Sequence, residues 1–233
     1  MTKQEVCALI EKVGVIPAIR VSSKEDARFA AEAVNRGGIP IVEMTMTVPG
    51  ACELIAELVH AHPKLVVGAG TVLTIDTARK CLDSGAGFLT APSFDPRILE
   101  FAAKENVAVL PGALTPTEVV GAWEAGADFV KVFPCSLVGG ERYIKALKTA
   151  LPAIRLIAAG GVNQQTAEDF IVAGASAIGV GTELIPTEAI ERKQSKRIQE
   201  LAQRFQDFVK AGRARLESRK RAASARKPVG IEK

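Results

Sequence analysis

The sequence has few of the residues from which metal sites and aromatic ligand platforms are built. Its 233 residues include two histidines, one tryptophan and one tyrosine. A catalytic zinc site takes about three protein ligands that meet in space, whereas His60 and His62 are the only histidines and are nearly adjacent. The sequence therefore predicts no metal and no cofactor. Acid–base chemistry is left to a carboxylate or a lysine.

Paired cysteines and long apolar runs are also missing. The four cysteines, Cys7, Cys52, Cys81 and Cys135, show no C-x-x-C spacing, which is typical of reduced, mostly structural thiols. Cys135 directly follows an apolar run and is the thiol whose exposure matters. No apolar run is long enough to cross a membrane, and the first residues lack the basic-then-apolar pattern of a secretion signal. We therefore expect a cytoplasmic protein that makes no membrane contact.

The net charge of +4 hides an uneven distribution of charge. Residues 192–233 contain 14 Lys/Arg and 4 Asp/Glu, while the rest of the chain contains 16 and 22. Helical periodicity predicts a long terminal helix over 190–217. The basic, alanine-rich segment 213–233 is predicted to be a frayed helix that gives way to a disordered tail. Basic tails can attract nucleic acid, but this tail has no interleaved aromatic residues, so we do not expect it to bind nucleic acid.

The sequence does contain a repeated unit, an apolar strand followed by a helix. After a predicted N-terminal helix over 2–12, the apolar runs lie near 14–20, 39–45, 65–68, 88–90, 107–110, 129–133, 155–158 and 176–180. The runs are continuous, as in a parallel sheet that is buried on both faces. Eight units predict a (β/α)₈ TIM barrel over 1–212. A doubly wound sheet is the alternative, weakened because no G-x-G-x-x-G follows the first strand.

One lysine, Lys131, lies in the middle of the sixth apolar run. Lysine is almost never fully buried unless it is paired or used. Burial favours the neutral amine, which is a nucleophile towards ketones. The alternative is a side chain that only carries its ammonium out at the strand end. Because side chains alternate along a strand, Phe129 and Phe133 are predicted to line a pocket around Lys131.

The C-terminal ends of the strands form the active site of such a barrel. Glu43 is the only charge in its strand, so we expect it to meet Lys131, a buried structural ion pair being the alternative. The glycine-rich turns at 159–163 and 179–182 match the usual phosphate site of these barrels, although such turns can also merely end strands. The strand ends, in order, carry Arg20, Glu43 with Thr45 and Thr47, Thr71, Pro92, Lys131 with Phe133, Gly160 and Gly161, and Gly181 with Thr182.

Six motifs resemble, in order and spacing, the 2-keto-3-deoxy-6-phosphogluconate (KDPG) aldolases, a family that includes the 4-hydroxy-2-oxoglutarate (KHG) aldolases. The motifs are 42–49 (VEMTMTVP), 67–73 (VGAGTVL), 111–112 (PG), 129–134 (FVKVFP), 160–162 (GGV) and 179–181 (GVG). The resemblance covers about residues 5–210. It implies a (β/α)₈ barrel, usually a homotrimer, that performs metal-independent class I aldolase chemistry on a small 2-keto acid, as in the Entner–Doudoroff pathway.

The resemblance also implies residue roles. Lys131 would form a Schiff base with C2 of the keto acid, and Glu43 would be the general acid/base. Many members bind the substrate carboxylate with an arginine at the position of Thr47, whereas some with the E-x-T-x-T-V-P pattern place an arginine where Arg20 stands, so the role is assigned to Arg20. The other implied contacts are Thr71, Pro92 and Phe133 for pyruvate, and Gly160, Gly161, Gly181 and Thr182 for phosphate. Thr45 and Thr47 are implied to bind substrate as well.

These roles predict an aldehyde-lyase that cleaves KDPG to pyruvate and glyceraldehyde 3-phosphate, and also 4-hydroxy-2-oxoglutarate to pyruvate and glyoxylate. One alternative is a 2-keto-3-deoxy-6-phosphogalactonate aldolase. A second is a phosphosugar isomerase or epimerase, because the same barrel hosts many chemistries. A third is a non-enzymatic scaffold whose basic tail binds RNA or an acidic partner.

Overall fold

Short parallel strands form one curled sheet with helices between successive strands. The computed structural model describes residues 1–225. The strands are β1 (Val15–Ile19), β2 (Ile41–Thr45), β3 (Val66–Gly70), β4 (Phe88–Thr90), β5 (Ala108–Leu110), β6 (Gly112–Ala113), β7 (Val130–Val132), β8 (Leu156–Ala159) and β9 (Ala177–Val180). The order around the sheet is β5-β4-β3-β2-β1-β9-β8-β7-β6. This nearly closed barrel confirms the predicted (β/α)₈ fold.

The fifth predicted strand is divided into two segments. β5 and β6 lie on either side of Pro111 and are the two ends of the sheet order. Proline has no N–H to donate to a strand ladder, but the Pro111 carbonyl accepts a hydrogen bond from the Lys131 N–H at 2.8 Å. The barrel therefore closes through this residue, and eight predicted strands become nine segments.

The helices lie between successive strands, and several of them begin at a residue whose side chain caps the first turn. The Ser23 side chain, for example, accepts a hydrogen bond from the Asp26 N–H at 3.1 Å, which is the usual role of a serine at an N-cap. No helix within residues 1–225 combines the length and apolar character that crossing a membrane takes. The helices are α1 (Lys3–Val13), α2 (Lys24–Arg36), α3 (Ala51–Ala61), α4 (Ile75–Asp83), α5 (Pro96–Lys104), α6 (Pro116–Glu124), α7 (Glu141–Ala150), α8 (Ala167–Val172), α9 (Thr187–Glu191) and α10 (Ser195–Ala225).

The last helix, α10, crosses the boundary that was predicted at residue 212. Gly212 is buried, and a Cβ there would lie only 2.9 Å from the Glu168 carbonyl oxygen, so this glycine allows α10 to approach α8 closely. Residues 213–225 continue this helix, so the boundary between a frayed helix and a disordered tail is not seen before residue 225. The predicted disorder of 226–233 lies outside the described residues.

Two arginines explain why this basic segment is ordered. Arg213 donates hydrogen bonds to the carbonyls of Glu11 and Lys12 at the end of α1, the latter at 2.8 Å. Arg215 lies 3.1 Å from a carboxylate oxygen of Glu168 and 2.9 Å from one of Asp169, in the first turn of α8. Partners that are distant in sequence thus hold a segment whose composition alone favours disorder.

Two glycines of β3 make room for side chains inside the barrel. A Cβ on Gly68 would overlap the ring of Phe88, which is fully buried. A Cβ on Gly70 would overlap the carboxylate of Glu43. Neither glycine has a positive φ, so close approach alone accounts for both.

We expect Gly68→Ala to destabilise the protein more than Gly70→Ala. The Phe88 ring is enclosed on all sides and cannot move away, so overpacking should lower the free energy of unfolding by about 1–3 kcal/mol. At Gly70 the clash is with the far end of a flexible side chain, which can rotate. Urea denaturation of the two variants measures the difference. Equal losses of stability would contradict this account of the barrel interior.

Candidate active site

Five strand ends surround a cavity of about 390 Å³ at one end of the barrel. Its wall comes from β1, β2, β7, β8 and β9 and the turns that follow them. Four charged side chains line it, Arg20, Glu43, Lys131 and Glu183. The sequence-predicted residues Phe133, Gly160, Gly161, Gly181 and Thr182 line it as well. Most of the predicted site is thus brought together in one place.

Lys131 and Glu43 face each other across the barrel interior. The Lys131 Nζ lies 3.3 Å and 3.5 Å from the two carboxylate oxygens of Glu43. Their side chains are only 14% and 6% exposed. Both residues sit in the middle of short strands whose neighbouring positions are buried and apolar, so each charge has the other as its compensation. The predicted meeting of the two lone charges is confirmed.

Only one of the two phenylalanines predicted around Lys131 is there. Phe133 lines the cavity, and the Lys131 Nζ lies 5.7 Å from the centroid of its ring. Phe129 is fully buried outside the cavity wall, and its ring lies 4.6 Å from the guanidinium carbon of Arg155. The prediction for Phe129 is therefore wrong. Phe129 directly precedes β7, two residues before Lys131, and so lies further from the strand end that opens into the cavity.

Arg20 directly follows β1 and is exposed at the cavity. Within the part of the chain that the structure describes, it forms no ion pair or side-chain hydrogen bond. Its guanidinium is thus available to an anion without first breaking an internal contact. The end of β2 is joined to the end of β1 just before Arg20, because the Thr45 hydroxyl donates a hydrogen bond to the carbonyl of Ile19 at 2.9 Å.

Four predicted contacts lie outside the cavity wall. Thr45 is fully buried, and its hydroxyl is 2.8 Å from that of the exposed Thr47. Thr71 follows β3 with a φ of 60°, and the Pro92 carbonyl packs against Gly112. All four residues are at the predicted strand ends, but none lines the cavity. Their part in substrate binding remains a prediction.

The glycine-rich turn after β8 packs against the segment that follows Lys131. Gly160 and Gly161 have φ values of 83° and 82°, a region that other residues rarely adopt. A Cβ on Gly160 would crowd Phe133 and Pro134, and one on Gly161 would overlap the Ser136 hydroxyl. The turn therefore positions its backbone beside the cavity only because both residues are glycine. Gly181, in contrast, has open space, with the nearest atom 4.0 Å away.

Sequence reasoning gave no role to three cavity residues, Ala18, Glu183 and Ile185, and included Asn163 only as part of the turn at 159–163. The Asn163 side chain accepts hydrogen bonds from the backbone of Gln165 and Thr166, both at 3.0 Å, so it shapes the turn after β8. The signal for Glu183 was its place two residues after Gly181, at the mouth of the last strand. Ile185 gave no signal beyond being apolar.

Cys135 is not part of the candidate chemistry. The residue is fully buried, and burial raises the pKa of its thiol to about 12. A thiol that does not ionise near neutral pH is a poor nucleophile. Among residues 1–225, no group of three or more His, Cys, Asp or Glu side chains is arranged to hold a metal ion.

The sequences of known proteins identify the family to which this geometry belongs. The family model "Aldolase: KDPG and KHG aldolase" matches residues 6–201. The 2-dehydro-3-deoxy-phosphogluconate aldolase of Treponema pallidum is 31% identical over 200 residues, which are 86% of this chain and 95% of that protein. The 2-dehydro-3-deoxy-6-phosphogalactonate aldolase of Escherichia coli is 32% identical over 204 residues, which are 87% of this chain and 96% of that protein.

A solved structure has the same fold at similar identity. The KDPG aldolase of Legionella pneumophila, crystallised with pyruvate captured at low pH as a covalent carbinolamine intermediate, has a TM-score of 0.79 and is 29% identical. The match covers 84% of this chain and 96% of that one. The family model alone spans most of the chain, from α1 into α10. The chain therefore belongs to the KDPG and KHG aldolase family, and it is a lyase.

Proposed function

We propose that this protein is a cytoplasmic, metal-independent class I aldolase that cleaves KDPG to pyruvate and glyceraldehyde 3-phosphate through a Schiff base on Lys131. We propose 4-hydroxy-2-oxoglutarate as a second substrate. The observation that carries this proposal is the Lys131–Glu43 pair, with its 3.3 Å separation, at the wall of a cavity. A buried nucleophile and an acid/base within reach of it are the two groups that Schiff-base chemistry requires.

The reaction begins with attack of the neutral Lys131 amine on C2 of the keto acid. Glu43 transfers protons as the resulting carbinolamine loses water, which gives a protonated imine. Glu43 then removes the proton of the C4 hydroxyl, the C3–C4 bond breaks, and its electron pair flows into the imine. The aldehyde leaves, the enamine takes a proton at C3, and water releases pyruvate from Lys131.

The remaining cavity residues are assigned to binding. The Arg20 guanidinium holds the C1 carboxylate, since charge-assisted contacts to a planar cation orient a carboxylate well. Phe133 packs against the pyruvate part. Thr71, Pro92, Thr45 and Thr47, at strand ends outside the cavity wall, are proposed as further substrate contacts. The backbone of the two glycine turns and the Thr182 hydroxyl take the phosphate.

A second candidate substrate differs from KDPG in its aldehyde half. Cleavage of 2-keto-3-deoxy-6-phosphogalactonate is the second candidate, because a relative that bears this name is 32% identical over nearly its whole length. The two substrates differ in configuration at C4, the carbon that loses its hydroxyl proton. Coupled pyruvate-release assays on both, and on 4-hydroxy-2-oxoglutarate, rank them by kcat/KM.

Pyruvate and borohydride should trap one carboxyethyl group on Lys131. Lys131→Ala should form no adduct and lose at least about 10³-fold in kcat, and Glu43→Gln should lose about 10²–10⁴-fold. Lys148 is an internal control, because burial lowers its pKa while its amine donates to the carbonyls of Pro152 and Ile154 outside the cavity. Peptide mapping locates the adduct. An adduct on Lys148, or one that persists in Lys131→Ala, rules out the assignment, and an isomerase would form none.

Arg20→Ala should raise KM for 2-keto acid substrates by about 10- to 100-fold, because a charged hydrogen-bond partner of the carboxylate is lost. The kcat should change much less, since Arg20 does not contact the bond that breaks. Arg192→Ala, in an exposed i,i+4 pair with Glu188, is the control. Steady-state kinetics separate the two constants. A KM near that of the unmodified enzyme would move the carboxylate site elsewhere.

We also propose that the enzyme is a homotrimer, as family resemblance implies. Leu73, which follows β3, and Leu137 with Val138, which follow β7, are exposed by 52%, 82% and 38%. These apolar positions lie on separate sides of the barrel mouth, as a cyclic interface between two different patches requires. Exposed apolar clusters commonly mark such interfaces.

Leu137→Glu should shift the protein from a mass of three chains to that of one, because a charge would be buried in the interface. Mass photometry at nanomolar concentration measures the shift. Leu137→Met, which keeps an apolar side chain, should leave the trimer intact. A single-chain mass for the unmodified protein would refute the trimer.

A further inference from the structure

One charged residue of the cavity, Glu183, has no part in the proposed mechanism. It is exposed, lies two residues after Gly181, and lines the cavity together with Thr182. No hydrogen bond or ion pair joins its carboxylate to any other residue in the described part of the chain. Its charge therefore faces the cavity uncompensated.

The charges of the cavity are distributed unequally between its two halves. Lys131, Glu43 and Arg20 are assigned to the carboxylate and C2 of the keto acid. The other half is formed by the turns after β8 and β9, whose lining residues from 159 to 185 include no lysine or arginine. These turns offer backbone N–H groups and one hydroxyl. Glu183 is the only charged side chain that they contribute.

This arrangement disfavours a doubly charged tail. Phosphate carries nearly two negative charges at neutral pH, and here it would meet neutral donors together with a carboxylate. A compact cavity of about 390 Å³ is roughly 9 Å across, close to the Debye length of about 8 Å at physiological ionic strength. Salt therefore cannot fully screen the repulsion between the phosphate and the Glu183 carboxylate. A hydroxyl on an uncharged tail can instead donate a hydrogen bond to the carboxylate.

We propose that Glu183 is a specificity-determining residue, whose carboxylate weakens binding of a phosphate tail and favours an uncharged, hydroxyl-bearing tail. The inference rests on the proposed aldolase function and concerns only the aldehyde half of the substrate. KDPG remains a substrate, but its advantage over the same keto acid without phosphate is reduced. Glu183 does not contact the reacting atoms, so its effect should fall on KM.

A second effect of Glu183 must be distinguished from this one. Glu183 follows β9 and Arg20 follows β1, and these two strands are paired. No ion pair links the two side chains, but the Glu183 charge could lower the affinity of Arg20 for the carboxylate that every substrate shares. That effect would change all substrates equally, whereas the proposal changes only the ratio between substrates with and without phosphate.

The test compares kcat/KM for KDPG and for the same keto acid without phosphate, by coupled pyruvate release. Glu183→Gln keeps the shape and removes the charge, so kcat/KM for KDPG should rise about five- to twentyfold, through KM. The value for the unphosphorylated acid should change less than about twofold. Glu183→Asp should behave as the unmodified enzyme, and the gain in Glu183→Gln should shrink in high salt.

Glu188→Gln is the matched control, because Glu188 is an exposed glutamate outside the cavity. An unchanged ratio in Glu183→Gln, or an equal gain for both substrates, would overturn the proposal. The pyruvate trap on Lys131 distinguishes the two levels of failure. If Lys131 forms the adduct and the ratio of kcat/KM for KDPG to that for the unphosphorylated acid is unchanged in Glu183→Gln, only the inference about Glu183 fails. If no adduct forms, the aldolase mechanism itself is refuted.

Discussion

The ion pair between Lys131 and Glu43 is the interaction on which the remainder of this molecule depends. Two charges inside an apolar barrel are costly unless they compensate each other. Their 3.3 Å separation meets that condition with residues 88 positions apart in the chain. Such a pair adds little stability compared with an apolar pair of the same volume. Its proposed value is chemical, since it places an amine beside a carboxylate that can exchange protons with it.

Glycine backbone is what lets the rest of the barrel fit around that pair. Gly70 leaves the space that the Glu43 carboxylate occupies. Gly160 and Gly161 bring a turn against Phe133 and Ser136, on the segment that leaves the strand of Lys131. The turn that is assigned to the tail of the substrate thus packs directly on the strand that carries the nucleophile. In the proposed binding mode, backbone contact rather than a flexible side chain therefore fixes the distance between the phosphate turn and the nucleophile.

The sequence predicted the strands, the barrel and the lysine–glutamate pair because each follows from a local pattern. Continuous apolar runs mark buried parallel strands, and a lone charge in such a run has to find a partner. Other features depend on contacts that are distant in sequence. The break at Pro111 follows from its place at the closure of the barrel, the depth of Phe129 from the stagger of the strands, and the order of 213–225 from the carbonyls and carboxylates that Arg213 and Arg215 reach. Composition carries none of this information.

The same limit explains why the two halves of the site were not predicted equally well. The half that is proposed to hold pyruvate is determined by charge, and charged residues in apolar strands are conspicuous in a sequence. The half that is proposed to hold the aldehyde part is built from glycine turns, and a sequence does not show how deep a turn lies or which nearby side chain faces it. Glu183 looks like an ordinary surface glutamate until the cavity places it beside Gly181 and Thr182. Because Glu183 belongs to the turn after β9 rather than to β2 or β7, the proposed preference for one tail can change without altering the residues that are proposed to cleave the carbon–carbon bond.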